Sequence, residues 1–351
     1  MKKPFKQTAL FLITLILTLS NGNAQKLDKS FTESFKADKS TILEIDSKFG
    51  EVKIMTWDEN SVEVNVDIWV ESNREERAQE LLSNLDAEVS ASGERIIVKS
   101  VLPDKLNTRK DTKFRIDFTI NAPPYVNLEL SSKYGSVFVD EFSGHADISV
   151  SYGNMKVREL TRGKEKPLNH INLAYSSGSI EEAGWLKIDM SYSKISIDEA
   201  TAIMAISKYS GLTLDEGSSL VIESKYDTYS LGELNNFLGE MKYGNLKIEE
   251  LFKKFEIESA YSSVKVEEIG PDFELISIEN SRGGYKIGIS DQASFTLKGE
   301  AKRGDISVSG MENLNKRVEN ADKYIDGTYG SNPSATVNLE VKEGSIKIVL
   351  D

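Results

Sequence analysis

The sequence predicts an all-β fold: a right-handed parallel β-solenoid (β-helix) with rungs of about 17 residues and a small α+β cap at its N-terminal end. Three observations support this prediction. An aromatic residue recurs at nearly constant spacing, apolar and polar residues alternate on both sides of it, and small turn-forming residues follow it directly. Repeats of this kind stack equivalent positions, so that each repeat adds one layer to a continuous core.

Tyrosines define the repeat, and each is assigned position 0 of its unit. Successive tyrosines lie 18, 23, 17, 17, 17, 17 and 18 residues apart. They are Tyr134, Tyr152, Tyr175, Tyr192, Tyr209, Tyr226, Tyr243 and Tyr261. Apolar residues occupy positions +3 and +5, as at Leu212 and Leu214, and positions −6 and −4, as at Leu220 and Ile222. This two-residue alternation indicates strands with one buried face, and the Gly and Ser residues after most of the tyrosines predict a tight turn.

The period of two residues excludes helical repeats. An antiparallel sandwich or barrel stays open as an alternative, because it also uses short strands at regular spacing. The solenoid is favoured, because hairpins do not require the same residue at the same phase of every unit, whereas a solenoid stacks equivalent positions.

The repeat degenerates toward the end of the chain. Arg282, Arg303 and Glu343 take the aromatic position, while the turn and strand patterns persist. Before Glu343, the polar residues 311–335 predict an insertion or long loop with a helical turn. We therefore assign residues 128–351 to solenoid repeats with an insertion near 311–335.

Residues 25–127 are predicted to form the cap. They contain one isolated rung with Phe49 at position 0, several further strand patterns, and the segment NREERAQELLSNL. That segment predicts a short amphipathic helix, whose apolar stripe is Ala78, Leu81, Leu82 and Leu85. A cap protects the open end of a solenoid, where unpaired strand edges would invite aggregation.

The first 24 residues predict a secretory signal peptide. Lys2 and Lys3 precede an apolar run over residues 9–19, and Ala24 is a small residue suited to cleavage. A retained anchor is the alternative, but the run is shorter than the about 20 residues that span a bilayer. We expect an exported protein in the periplasm, on the outer-membrane surface or outside the cell, with no direct membrane insertion after the signal is removed.

The formal charge of the chain is −13, and losing three lysines and no acid with the signal peptide takes it to −16. This acidity argues against nucleic acid and anionic membrane surfaces as partners. It is compatible with cations and with uncharged glycans. The chain has no cysteine, so stability must come from burial and backbone pairing and not from disulfides.

The stretch FTINAPPYVNLELSSKYGSVFVDEFSG, followed by SYGNMKV, AYSSGSI and KYGNLKI, resembles the "putative adhesin" families exported by Gram-negative bacteria. These include the head domains of autotransporter adhesins. The resemblance covers most of the mature chain. It consists of the general pattern of the repeats and of the motif P-x-x-x-x-L-x-L-x-x-x-Y-G before the first of them. It implies a parallel β-helix-like fold and an envelope or surface location. No catalytic residue carries over, because the families define none.

Paired acids at positions +6 and +7 are the most regular polar feature. They are Asp140-Glu141, Glu181-Glu182, Asp198-Glu199, Asp215-Glu216, Glu249-Glu250 and Glu267-Glu268. Stacked carboxylates about 4.8 Å apart repel unless they are solvated or bridged, so a calcium-binding stripe is one interpretation. Exposed turns with solvated acids are the other, and we favour it because calcium loops mix Asp, Asn and Gly with backbone carbonyls. No cofactor is therefore predicted.

The tyrosines also have two interpretations. Side chains of a strand alternate between its two faces, so the tyrosines lie on the same face as the buried position −4. This predicts rings stacked at a corner of the core. The alternative is an exposed aromatic strip that binds sugar rings. The lysines that precede several tyrosines, Lys208 and Lys225 among them, suggest that the hydroxyls lie near solvent. Core stacking is favoured.

Conventional catalytic signatures are weak. His145 and His170 are the only histidines and have no metal-ligand spacing. Arg282 and Arg303 share a phase in adjacent units, so they could stack and bind a ligand; pairing with acids of the same sheet is the favoured alternative. We predict a non-enzymatic binding, adhesion-like or structural module with an unknown surface glycan or envelope protein as partner. A polysaccharide lyase or hydrolase on a β-helix is the alternative function.

Overall fold

The computed structural model describes residues 25–105 and 111–351, so the predicted signal peptide lies outside the described residues. The chain divides into two compact units, Met1–Arg162 and Gly163–Asp351. The described residues are almost entirely strands, with one short helix. That helix is the only one they contain, and it is too short to cross a membrane.

The first unit contains eleven strands and the helix among its described residues. They are β1 (Gln25–Lys36), β2 (Ile42–Lys48), β3 (Glu51–Thr56), β4 (Ser61–Ser72), α1 (Glu75–Asn84), β5 (Asp86–Ser92), β6 (Arg95–Val101), β7 (Thr112–Ala122), β8 (Asn127–Lys133), β9 (Ser136–Phe142), β10 (Ala146–Ser151) and β11 (Asn154–Leu160). Strands β6, β2, β8 and β10 pair in parallel in that order, as do β7, β3, β9 and β11. The rung of Phe49, first in sequence, therefore lies inside the stack and not at its end.

Antiparallel strands complete this unit. Strand β4 pairs with both β1 and β7, and β5 pairs with β6. Helix α1 packs against β4 and β1, and Ala78 of its predicted apolar stripe is buried. The prediction of one short helix within residues 25–127 is confirmed.

The second unit contains the regular repeats. Its strands are β12 (Asn169–Ala174), β13 (Ser177–Ser191), β14 (Lys194–Lys208), β15 (Gly211–Lys225), β16 (Thr228–Lys242), β17 (Asn245–Ala260), β18 (Ser263–Ile269), β19 (Leu275–Ser281), β20 (Gly284–Ile289), β21 (Phe295–Lys302), β22 (Asp305–Ser309), β23 (Leu314–Glu319), β24 (Asp322–Tyr329), β25 (Ala335–Lys342) and β26 (Ser345–Leu350). Strands β12 to β17 pair in parallel with consecutive neighbours, and residues 17 apart face each other from β13 to β16. Mostly parallel, stacked strands were predicted, and they are consistent with a solenoid.

The final strands do not follow the order of the sequence. Strand β25 lies between β19 and β21, and β26 lies between β20 and β22. The rung of Glu343 is thus inserted between the rungs of Arg282 and Arg303. The predicted insertion forms the antiparallel hairpin β23–β24 instead of a loop with a helical turn, and β24 covers the edge of β21.

Apolar side chains at positions +3 and +5 fill the core, as the alternation predicts. Leu212 and Leu214 are almost fully buried and face the equivalent residues of the neighbouring rungs, for example Ile195 and Tyr229. Burying one such side chain stabilises the fold by about 1.5–3 kcal/mol, and each rung repeats the contribution.

Position 0 has an unusual backbone conformation. Each aromatic at position 0, from the rung of Phe49 to that of Tyr261, has a φ between 51° and 62°, and so do Arg282, Arg303 and Glu343. A left-handed residue at the corner interrupts strict alternation, so positions −1 and 0 both point outward; Lys208 and Tyr209 are an example. The prediction that the tyrosines are buried at a corner of the core is therefore wrong: the six tyrosines at position 0 in the second unit are 40–51% exposed.

Candidate binding surface

Six tyrosines of the second unit form a continuous stack on its surface, which we call the tyrosine ladder. Neighbouring ring centroids are 4.8–4.9 Å apart, and the rings are within 3–15° of parallel. The members are Tyr175, Tyr192, Tyr209, Tyr226, Tyr243 and Tyr261. The spacing is that of parallel strands, so strand pairing sets the separation of the rings.

The tyrosine ladder presents ring edges and hydroxyls to solvent. Between Tyr192 and Tyr243 each ring has its two faces against neighbouring rings. The ammonium groups of Lys208 and Lys225 lie 5.4 and 5.5 Å from the ring centroids of the tyrosines that follow them, a distance that permits cation–π attraction. A sugar ring therefore cannot lie flat on the covered faces, and contacts with a ligand must be made by the edges.

A groove of 870 Å³ runs along the stack beside the tyrosine ladder. Its rims are formed by positions −3 and −1, where Glu223 and Glu240 stand two residues before Lys225 and Lys242. Strand pairing sets Glu223 beside Glu240 and Lys225 beside Lys242. The groove thus offers one row of carboxylates and one row of ammonium groups to a chain lying along the stacking axis.

An exposed apolar row lies on the same face at position −5. Met204, Val221 and Leu238 are adjacent in the parallel register and are 47%, 36% and 50% exposed. Apolar side chains in such a row are typical of surfaces that contact a partner.

Arg282, Glu343 and Arg303 continue the positions of the tyrosine ladder beyond Tyr261. The Arg282 guanidinium lies 5.4 Å from the Tyr261 ring centroid and donates to its hydroxyl. Its Nε donates to Glu343 Oε2 at 2.6 Å, while Arg303 reaches Glu343 Oε1 at 2.7 Å. The favoured interpretation, pairing with an acid of the same sheet, is what the structure contains. The other interpretation, stacking of Arg282 on Arg303 as adjacent units, is wrong, because the inserted rung places Glu343 between them.

The paired acids are mostly exposed, as expected, but they lie within the strands and not at turns, for example Asp215 and Glu216 in β15. Position +7 carries a register of glutamates, Glu182, Glu199, Glu216, Glu233, Glu250 and Glu268. Asp140 is the exception, since it is buried and accepts hydrogen bonds from Thr56 and Arg158. Within residues 25–105 and 111–351, no group of three or more His, Cys, Asp or Glu side chains could hold a metal ion.

His170 has a structural partner. Its Nε2 lies 2.7 Å from Asp189 Oδ2, and Lys187 is 2.9 Å from the same oxygen. Burial opposes ionisation of Asp189, but the hydrogen bonds from Lys187 and His170 lower the pKa of its carboxyl below the ordinary value. His145 lies in the first unit, where its backbone N–H donates to Asn127 Oδ1 at 3.0 Å.

One buried polar cluster had no signal in the sequence beyond a single departure from the repeat. Position +1 is Ser in most regular rungs and Asp227 in one. The Asp227 carboxylate is buried and accepts hydrogen bonds from Ser207 and Ser224, both at 2.8 Å. Tyr229 reaches Ser207 at 2.6 Å, and burial raises the pKa of its hydroxyl well above the ordinary value.

Comparison with known proteins gives structural neighbours. No family model matches the chain, and no curated protein matches it. A "putative adhesin" from Bacteroides fragilis is similar over 91% of this chain and 97% of its own, at 10% identity and a TM-score of 0.34. One from Parabacteroides distasonis covers the same shares at 8% identity and 0.35. A third, from Parabacteroides merdae, covers 93% and 97% at 10% identity and 0.33. These neighbours across about nine tenths of the chain bear the name of the family that the repeat resembles.

Proposed function

We propose that this chain is an exported, non-enzymatic binding module of the cell envelope or cell surface, acting in an adhesion-like way. Its framework is a right-handed β-solenoid with rungs of about 17 residues, in which residues 25–127 cap one end. The partner is an extended chain, either a surface glycan or a strand of an envelope protein. Export rests on the predicted signal peptide.

The outward-facing tyrosine ladder is the observation that carries this proposal. Six rings at constant spacing, 40–51% exposed, are a large preorganised aromatic edge. Rigid tyrosines contribute contact area while little side-chain entropy is lost on binding. Because the ladder and the adjacent groove both follow the stacking axis, the surface favours a linear ligand over a compact one.

The proposal is tested by replacing two central rings. Tyr209→Asn with Tyr226→Asn removes the edges, and Asn tolerates the left-handed backbone at these corners. The ligand is the one that the wild-type protein selects from a panel of glycans and envelope extracts. We expect the affinity of the double variant for this ligand to fall by about tenfold or more. Binding would be measured by biolayer interferometry.

Tyr209→Phe with Tyr226→Phe is the matched control. It keeps the ring edges and loses only the hydroxyls, and Phe49 shows that position 0 accepts this side chain. We expect a smaller loss of affinity than with the asparagine pair. Unchanged binding by the asparagine pair would contradict the proposed surface, provided that both variants melt near the wild-type temperature. New reducing ends or unsaturated products on incubation with acidic and neutral polysaccharides would favour the enzymatic alternative.

A further inference from the structure

The second outer face of the repeat unit carries a row of lysines at position +4. Lys247, Lys265, Lys286 and Lys347 occupy directly paired positions of β17, β18, β20 and β26. We call this row the lysine ladder. Parallel pairing sets neighbouring members about 4.8 Å apart at the backbone. Like charges at this spacing repel one another unless anions lie between them.

Only the first two lysines of the lysine ladder are neutralised by glutamates of their own strands. Lys247 pairs with Glu249 at 3.0 Å and Lys265 pairs with Glu267, each two residues further along its strand. The corresponding residues after Lys286 and Lys347 are Gly288 and Val349. Gly288 cannot be replaced by an acid, because a Cβ there would lie 1.9 Å from the Glu267 carbonyl oxygen.

Lys286 and Lys347 consequently stand exposed without an ion pair in the described part of the chain. Lys286 interacts electrostatically with the Glu267 carboxylate, but that carboxylate accepts its hydrogen bond from Lys265. In a protein with a formal charge of −13, two adjacent uncompensated ammonium groups mark a local site of opposite sign.

Polar groups and open space adjoin the lysine ladder at position +2. Asn245, Ser263, Gly284 and Ser345 are paired in the same register. A Cβ built on Gly284 would meet nothing within 4 Å, so a ligand can approach the backbone there. At position 0 of these last rungs, Arg282 and Arg303 share the single carboxylate of Glu343, which leaves one further positive charge.

We propose that the lysine ladder binds a linear acidic polysaccharide laid along the stacking axis. Lysines meet its carboxylates, while the hydroxyl and amide groups at position +2 meet its sugar hydroxyls. This pairing of charged and neutral polar rows fits a uronic acid polymer, whose charges are separated by hydroxyl-bearing carbons. A nucleic acid duplex is disfavoured, since its dense phosphates would extend beyond this short row over a protein with a formal charge of −13. The site is separate from the tyrosine ladder and does not depend on the function proposed for it.

The test compares polygalacturonate with its methyl-esterified form, which has the same backbone without the charge. We expect the protein to bind polygalacturonate, to bind the ester much more weakly, and to lose affinity as salt is raised. Lys286→Gln with Lys347→Gln should weaken binding of polygalacturonate by about tenfold. Lys298→Gln with Lys316→Gln removes two exposed lysines of the same unit that lie off the row, and should change it by less than about twofold.

A second variant leaves every lysine in place. Val349→Glu puts a carboxylate two residues after Lys347, where Glu249 and Glu267 stand in the other rungs. We expect it to weaken binding, whereas Val349→Gln should not. The proposal is overturned if wild-type protein does not bind polygalacturonate, if the ester binds equally, or if both lysine pairs lose affinity alike. It is also overturned if a DNA duplex or polyphosphate binds more tightly than polygalacturonate.

Discussion

Asp227 is a buried carboxylate held by hydrogen bonds to neutral groups. Besides Ser207 and Ser224, the backbone N–H groups of Ser210 and Lys225 donate to it at 2.6 and 2.8 Å. Four donors compensate much of the cost of removing a charge from water. The neighbouring rungs satisfy the same backbone position with a serine hydroxyl, as when Ser193 N–H donates to Ser210 Oγ at 3.2 Å.

Asp227→Ala should lower the free energy of unfolding by about 2–3 kcal/mol, because it leaves the N–H of Ser210 and two serine hydroxyls without their acceptor. Asp227→Ser introduces the residue that the preceding rung has at this position, Ser210, and should cost clearly less. Urea unfolding followed by circular dichroism measures both. Equal losses for the two variants would show that the charge itself, and not an acceptor at this position, is what the rung requires.

The corner residues show what could be predicted at this scale. The phase of the aromatics and the small residues after them identified every corner in advance. Their orientation could not be obtained from alternation, because a single left-handed residue such as Tyr209 turns two consecutive side chains outward. Positive φ is uncommon for tyrosine, so nothing in the residue type indicated it. For this reason the exposed aromatic strip was the less favoured of the two interpretations of the tyrosines.

At the scale of the element, the inserted rung of β25 and β26 is held by more than backbone pairing. Glu343 of this rung accepts from Arg282 on one side and pairs with Arg303 on the other. The hydrogen bond from Arg282, assisted by the charges of both arginines, lowers the pKa of Glu343 from its ordinary value of 4.5. The ionised carboxylate is therefore preferred in the folded state.

Acid should weaken this contact. A carboxyl with a lowered folded pKa adds stability above its unfolded pKa, and the contribution disappears as the pH falls through the folded value. Glu343→Gln lacks the contribution, so the difference in urea midpoint between wild type and variant should be largest at pH 7 and shrink below pH 4.5. Glu340→Gln, in the same rung, is the control. A difference that stays constant down to about pH 3 would contradict this role of the charge.

The order of the rungs could not be predicted from the sequence. Each rung presents the same strand and turn pattern, so local signals do not distinguish a rung that follows its predecessor from one inserted between two others. Arg282 and Arg303 were correctly placed at position 0, but they were taken as neighbours because they are neighbours in sequence. The polar segment 311–335 was located correctly, and its hairpin was missed because it lacks the apolar alternation of the core strands.

At the scale of the whole molecule, stacking makes each regular rung interchangeable with the next. Residues 211–225 pair with 194–208 on one side and with 228–242 on the other, in the same register. Removing residues 211–227 joins Ser210 to Thr228 and brings β14 against β16 with every inward position still inward. In a repeat protein the loss is then about one rung of burial and one interface.

We therefore expect the protein without residues 211–227 to fold, with a melting temperature lowered by a few degrees. Removing only residues 211–219 joins the second half of one rung to the corner of the rung before it, which puts polar residues into the core. We expect this shorter deletion to prevent folding. Far-UV circular dichroism, gel filtration and the cooperativity of melting separate the outcomes. If both deletions unfold the protein alike, its stability does not come from independent stacked layers. If the longer deletion is tolerated, the number of rungs is free to vary, and with it the length of the tyrosine ladder available to a linear partner.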